Sequence, residues 1–197
     1  MDESILSSAP RMIWRLLESH DIDADALFRQ SAFDPAHMSE PRMRYPKEAF
    51  HTLWAEVVKR TGNGSIGIEA GRFYSPLDLS ALGVSFLSST TLMEALQRIH
   101  RYESIVNSSL TFTITETQGR VDVLSDANFS VEQVARIHED IRVSILLDLC
   151  RKGLGPALNP IEVAFTYPEP KDTSEYAAIF CCPLVFSQPI SRVSLRV

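Results

Sequence analysis

Residues 62–67 come closest to a chemical motif in this chain. Gly62-Asn-Gly-Ser-Ile-Gly67 matches the GxGxxG spacing, in which glycines let backbone N–H groups approach a dinucleotide pyrophosphate. That turn works only between a β-strand and a helix, and the residues before Gly62 have helical spacing. We therefore interpret Gly62 as a helix C-cap in the left-handed conformation and predict no nucleotide or other cofactor.

The histidines, cysteines and serines lack the spacing of a metal site or a catalytic triad. None of the five histidines has another histidine four residues away, and none lies at zinc spacing from Cys150, Cys181 or Cys182. The chain contains no Gly-x-Ser-x-Gly motif. Its acidic residues fall mainly at predicted helix caps and on solvated helix faces. The sequence therefore predicts neither a metal site nor an enzyme.

A set of aromatic and polar residues has the composition of a small-molecule pocket. Such pockets are mostly apolar and contain a few converging polar groups. Taken singly, each residue also suits a surface position or a hydrogen bond within the fold. An anionic effector would need Arg72 or Arg101, because burying a bare carboxylate is costly. The predicted lining, where a helical layer meets a sheet, is His51, Trp54, Arg72, Tyr74, Phe86, Arg101, Tyr102 and Phe112.

The elements that would position these residues change period after residue 106. Before it, apolar residues recur at helical spacing, with Pro46 at a helix start and Thr91 and Glu94 forming a capping box. After it, Phe112 and Ile114 alternate with threonines as a half-buried strand. Further strands are predicted around 121–123, 161–167, 184–187 and 193–197.

The longest predicted element is a helix from Val131 to about Lys152, inserted between these strands. We therefore predict a single α+β domain over residues 1–197. An N-terminal helical layer would pack on a small, mostly antiparallel sheet, with this one long helix inserted.

The same helix has more apolar positions than one core-facing stripe needs. We predict a two-fold homodimer in which the helix meets its own copy. The predicted interface is Val134, His138, Ile141 and Ile145. The alternative is that the whole stripe belongs to the core.

Charge and composition limit the partners of the chain. It has 19 basic and 25 acidic residues, a formal net charge of −6, whereas nucleic-acid binders usually have a basic face. Its apolar stretches are much shorter than the roughly 20 residues of a membrane helix, and its N-terminus is acidic where a secretory signal is basic. Three cysteines give no disulfide framework. We expect a cytoplasmic protein with no membrane partner.

Several phrases, taken in order, resemble the N-terminal effector-sensing, arabinose-binding-like domain of AraC-type bacterial transcription regulators. Phe180-Cys-Cys-Pro183-Leu-Val-Phe186 is similar to that family's Phe-x-Cys-Pro-Val-x-Phe phrase. The other phrases are Arg44-Tyr45-Pro46, Arg60-Thr61-Gly62, Ile66-Gly67, Leu82-Gly83, Ser89 to Leu96, and Arg101-Tyr102.

This resemblance implies a small-molecule effector sensor that often self-associates and controls an attached DNA-binding domain. DNA would be bound only through that second domain, which would carry two helix-turn-helix units. No such units occur in this sequence, so we expect a fragment of a regulator or a protein that has lost its DNA reader. The alternatives are a stand-alone module for a small molecule or lipid, and a small enzyme.

Overall fold

The first half of the chain consists of helices and two very short strands. The computed structural model describes residues 4–40, 43–108, 111–126 and 132–196. The elements of the first half are β1 (Ser4–Leu6), α1 (Arg11–Ser19), α2 (Ala24–Gln30), β2 (Arg44–Pro46), α3 (Lys47–Thr61), α4 (Ile66–Ala70), α5 (Ala81–Leu87) and α6 (Leu92–Val106). Strands β1 and β2 pair antiparallel, with Ile5 opposite Tyr45.

The second half contains a five-stranded sheet and the longest helix. Its elements are β3 (Thr111–Thr117), β4 (Arg120–Asp126), α7 (Glu132–Leu154), β5 (Glu162–Ala164), α8 (Ser174–Phe180), β6 (Leu184–Val185) and β7 (Ser191–Arg196). The strand order is β3-β4-β7-β5-β6. All neighbours are antiparallel except β5 and β6, which are parallel. The predicted α+β class, with a small, mostly antiparallel sheet, is confirmed.

Local signals explain where several of these elements begin and end. Gly62 has a φ of 65° and ends α3 as a left-handed C-cap, as predicted. The Thr91 side chain accepts a hydrogen bond from the Glu94 N–H at the start of α6. Gly119, at a φ of 74°, turns β3 into β4. Pro46, predicted as the first helical residue, is the N-cap, and α3 begins one residue later.

Helix α7 lies in the interior of the molecule. It contacts α3, α4 and α5 of the first half, and also α8 and β7. Residues 137–144 are all buried, which accounts for apolar positions most of the way round the helix. Within the described residues, no helix is both long and apolar enough to cross a membrane.

Three of the four positions predicted for a dimer interface face inward. His138 and Ile141 are each 7% exposed, and Ile145 is half-buried against the core. The physical reason is that other elements of the same chain pack on both sides of α7 and bury these positions. The side chain of Val134 lies outside the described part of the chain.

Candidate effector pocket

A cavity lies where α6, α7 and β3 meet the start of the chain. Its free volume is about 130 Å³, and we call it the central cavity. Its polar lining residues are Tyr74, Asp78, Glu103, Asn107, His138 and Arg142. Its apolar lining residues are Ile5, Ala9, Met12, Trp54, Leu79, Leu82, Ile99, Val106, Phe112, Ile141, Ile145, Leu146 and Leu149.

Glu103 on α6 is an acidic residue in this mostly apolar lining. It is 8% exposed, and its Oε1 accepts a hydrogen bond of 2.9 Å from the backbone N–H of Phe112 on β3. Its Oε2 is buried and has no hydrogen-bond partner among the described residues. Burial raises the pKa of Glu103 to about 7, although the Phe112 N–H and the Arg142 charge act in the opposite direction. One carboxylate oxygen of Glu103 therefore accepts a hydrogen bond from the chain, and the other is buried without a partner among the described residues.

Tyr74 follows a 3-10 turn over Gly71–Phe73 and contributes a second open polar atom. It is 6% exposed, and its buried Oη has no hydrogen-bond partner within the described parts of the chain. Burial raises the pKa of the Tyr74 hydroxyl well above its ordinary value, and the charges of Asp78 and Asp148 add to the effect. The hydroxyl therefore keeps its proton and can donate a hydrogen bond.

Arg142 and His138 lie one helical turn apart on α7 and face the same cavity. The Arg142 guanidinium lies 6.0 Å from the centre of the Phe112 ring, within the range of a cation–π contact. The ring centres of His138 and His51 are 6.0 Å apart. Burial lowers the pKa of His138 to about 3, and the positive charge of Arg142 and the neighbouring His51 contribute. His138 is therefore neutral at physiological pH.

Asp78 is bound by other parts of the chain. Its Oδ2 accepts a hydrogen bond of 2.9 Å from the Ser75 N–H and forms an ion pair with Arg15. Its backbone carbonyl accepts a hydrogen bond of 2.8 Å from Ser8 Oγ. These hydrogen bonds fix the turn at this side of the cavity. The ion pair with Arg15 compensates the Asp78 charge.

The structure brings only some of the predicted pocket residues together. Trp54, Tyr74 and Phe112 line the cavity. His51 lies behind His138, and Phe86 is buried outside the lining.

The remaining three predicted pocket residues are exposed. Arg72 lies by a separate surface depression near Asp148. Arg101 stacks over Tyr102, which is 41% exposed, on the outer face of α6. The anchors expected for an anionic effector, Arg72 and Arg101, therefore lie outside the cavity.

Sequence reasoning missed Glu103 and Arg142. Glu103 lies four residues after Ile99 and three before Val106, so it shares their buried stripe. Tyr102, one of the predicted pocket residues, lies three residues after Ile99, and this spacing also fits the same helix face. A charged residue within an apolar stripe is the signal that could have identified Glu103.

A second buried polar group lies on the opposite side of α7; we call it the Asp140 cluster (Arg136, Asp140, Tyr167 and Tyr176). The Tyr167 hydroxyl donates to Asp140 Oδ1, and the Tyr176 hydroxyl donates to Oδ2 at 2.9 Å. Arg136 Nη2 donates to Tyr176 Oη at 3.0 Å. Burial raises the pKa of Asp140 to about 8, against the lowering effect of these hydrogen bonds and of Arg136. Both oxygens of Asp140 are thus satisfied within the chain.

The described side chains contain no group of three or more His, Cys, Asp or Glu residues arranged to hold a metal ion. The central cavity combines a mostly apolar lining with a few buried polar groups, among them Glu103 and Tyr74.

The fold and this buried pocket fit a sensing domain, and comparison with known proteins identifies the family. Residues 22–197 match the family model described as the arabinose-binding domain of AraC transcription regulator, N-term. The chain belongs to this family, which confirms the resemblance noted in the sequence.

Individual relatives are regulators. The ornithine utilization regulator of Pseudomonas aeruginosa strain PAO1 is 21% identical over 180 residues, covering 91% of this chain and 53% of the relative. The crystal structure of the transcriptional regulator CdpR from Pseudomonas aeruginosa has a TM-score of 0.64 at 21% identity, covering 94% of this chain and 55% of that one. The chain thus spans about half the length of these two proteins.

A third similarity concerns the fold alone. A structure titled "Modulating Heme Redox Potential Through Protein-Induced Porphyrin Distortion" has a TM-score of 0.56 at 11% identity and matches 98% of both chains. The same arrangement of helices and sheet is therefore found in a protein studied for its haem.

Proposed function

We propose that this domain senses a small, largely apolar effector that binds in the central cavity, and that it acts by binding rather than by catalysis. One observation supports this most strongly: the cavity is mostly apolar, yet two buried polar atoms at its wall, Tyr74 Oη and Glu103 Oε2, have no partner among the described residues. Buried polar groups in folded proteins are nearly always paired, so an unpaired couple at a cavity suggests a ligand.

The lining argues against a sugar, although the family description mentions arabinose. A monosaccharide has a hydroxyl on most of its carbons, and each buried hydroxyl needs a hydrogen-bond partner. Much of this wall consists of aliphatic and aromatic side chains, with Trp54, Ile99 and Phe112 among them. An effector with most of its surface apolar matches the wall better.

The cavity also does not fit a haem. An engineered cavity of about 150 Å³ binds benzene, and the central cavity, at about 130 Å³, is of that size. A porphyrin consists of four pyrrole rings and is several times larger than benzene. The likeness to the haem-related structure therefore extends to the fold and not to the ligand.

Effector binding could be transmitted to the rest of the protein through α6, α7 and β3, which all contribute residues to the cavity wall. Glu103 on α6 already holds the Phe112 N–H of β3, and Arg142 of α7 faces the same ring. An effector between them would favour whichever arrangement of α6, α7 and β3 it binds more tightly. In the proposed regulator, this shift would control a DNA-binding domain outside the present chain.

The proposal can be tested by asking whether the purified domain retains a bound ligand. Native mass spectrometry of the domain purified from its host is expected to show an added mass. The Ile99→Phe variant, which fills the cavity, should lose that mass. Ile105 lies on the same helix and is 58% exposed, so Ile105→Phe is the matched control and should keep it. An added mass kept in both variants, or none in the wild type, would count against the cavity as the sensor site.

We further propose that the domain forms a two-fold dimer through a surface other than the inward face of α7. The proposal rests on the family, whose members were expected from the resemblance to self-associate. Sedimentation velocity is expected to show a dimer at micromolar concentration. Because Ile141 is buried, Ile141→Glu should unfold the chain rather than yield a folded monomer, as circular dichroism would show. A wild-type monomer at every concentration would contradict the proposal.

A further inference from the structure

The size of the central cavity limits the effector to a compact molecule. Its free volume of about 130 Å³ is close to that of engineered cavities that bind one benzene ring. The wall includes rings at Trp54, Tyr74 and Phe112, which pack well against the face or edge of another ring. A single six-membered ring therefore matches the space better than a long chain.

The charges at the wall favour an uncharged ligand. Asp78 is paired with Arg15, and His138 is neutral because burial lowers its pKa to about 3. The opposite charges of Glu103 and Arg142 attract each other. A charged ligand would thus meet no uncompensated opposite charge among the described lining residues, and burying it would be costly.

The two open atoms differ in what they offer to a ligand. Tyr74 Oη carries a proton and donates a hydrogen bond, whereas Glu103 Oε2 accepts one when the carboxyl group is ionised, as it is above its pKa of about 7. A hydroxyl group is the simplest group that both accepts and donates. Both side chains are more than nine-tenths buried, so in an apolar cavity these hydrogen bonds would be strong.

We propose that the central cavity binds a compact, uncharged ring compound whose hydroxyl group accepts a hydrogen bond from Tyr74 Oη and donates one to Glu103 Oε2. This inference rests on the proposed function and adds the chemical class of the effector to it. The apolar ring would occupy the space between Trp54, Ile99 and Ile141, all of which line the cavity.

Isothermal titration calorimetry with phenol, toluene and benzoate tests this inference. Toluene has nearly the shape of phenol without the hydroxyl, and benzoate adds a charge. The wild type is expected to bind phenol about ten-fold more tightly than toluene, which corresponds to one or two buried hydrogen bonds. Tyr74→Phe and Glu103→Gln should each remove most of that preference and leave toluene affinity within about two-fold.

Controls separate this inference from the proposed function. Tyr74→Phe removes only an atom that has no partner among the described residues, so this variant should fold. Tyr102→Phe, at an exposed tyrosine outside the lining, should keep the preference for phenol. Equal affinity for phenol and toluene, or tighter binding of benzoate, would overturn the inference and keep a cavity that binds ligands. Failure of all three probes to bind at millimolar concentration would overturn the proposed function as well.

Discussion

Two buried acids on opposite sides of α7 are used in different ways. Asp140 is fully buried, and tyrosine hydroxyls donate to both of its oxygens. Glu103, which lines the central cavity, is nearly as buried, but one of its oxygens has no hydrogen-bond partner among the described residues. Burial raises the pKa of both acids, and each has an arginine of α7 nearby. The two sites thus share burial and charge and differ in how fully their hydrogen bonds are satisfied.

Packing is tighter on the Asp140 side of α7 than on the Glu103 side. Next to Asp140, α4 approaches α7 so closely that a Cβ on Gly67 would lie 2.7 Å from the Ile137 carbonyl oxygen and 2.8 Å from Asp140 Cβ. Next to Glu103 there is about 130 Å³ of free volume. Free volume and a polar atom without a partner among the described residues occur together on the Glu103 side, whereas on the Asp140 side both carboxylate oxygens accept hydrogen bonds and α4 packs closely.

The largest effect is expected from Asp140→Ala. The change leaves the Tyr167 and Tyr176 hydroxyls without their shared acceptor and the Arg136 guanidinium without its ion-pair partner. It should lower the free energy of unfolding by about 3–5 kcal/mol. Urea denaturation followed by circular dichroism measures it. Asp148→Ala, at a partly exposed acid paired with Lys152 on the same helix, is the control and should cost less than about 1 kcal/mol. Similar losses in the two variants would show that the cluster contributes nothing special.

A smaller loss in the free energy of unfolding is expected from Gly67→Ala. The new methyl group would collide with the backbone of α7, so α4 must move away, at a cost of about 1–3 kcal/mol. Gly153 is the control, because a Cβ there would lie 3.9 Å from the Leu87 and Phe86 side chains. Gly153→Ala should be neutral or stabilise the helix by up to about 1 kcal/mol. An unchanged denaturation midpoint in Gly67→Ala would mean that the close approach is not needed.

The sequence predicts the fold better than the pocket, for physical reasons. The left-handed cap at Gly62 and the alternation of Phe112 and Ile114 are local signals and can be recognised without tertiary structure. Strands β1 and β2 were not predicted, because three residues are too few to show a period.

The cavity depends on distances between elements that sequence periodicity does not contain. A helix stripe is three or four residues wide, so the sequence alone could not decide whether Tyr102 or Glu103 faces inward. Arg72 and Arg101 were chosen for their charge, but charged side chains are usually at the surface unless they are paired. The arginine that lines the cavity, Arg142, lies within the longest apolar stripe of the chain.

The pH dependence of stability should reveal the raised pKa of Glu103. The pKa of Glu103 is about 7 in the folded chain and has an ordinary value of 4.5, so the folded state binds the proton more tightly. The stabilisation from this proton is complete below pH 4.5 and is lost as the pH rises through 7. Glu103→Gln cannot lose a proton, so relative to the wild type it should gain roughly 2–3 kcal/mol between pH 5 and pH 8.

Urea midpoints of both proteins at several pH values measure this difference. Asp140 and His138 also titrate, but they are the same in the two proteins, so their contributions cancel in the difference. The Arg142 charge and the Phe112 N–H both favour the ionised form of Glu103 and reduce the effect without reversing it. Parallel curves for variant and wild type across this range would rule out a raised pKa at Glu103.

The smallest effect is expected from Tyr74→Phe, and it compares the two sides of α7 most directly. The Tyr74 hydroxyl has no partner among the described residues, so its removal should leave the free energy of unfolding within about 0.5 kcal/mol or raise it slightly. Tyr176→Phe removes a hydroxyl that donates to Asp140 and should cost about 1.5–3 kcal/mol. The two substitutions delete the same atom from two buried tyrosines, which are 6% and 0% exposed, so the difference between them reports mainly whether that atom is satisfied within the chain. A loss in Tyr74→Phe as large as that in Tyr176→Phe would mean that the fold itself uses the Tyr74 hydroxyl, which would then not be available to an effector.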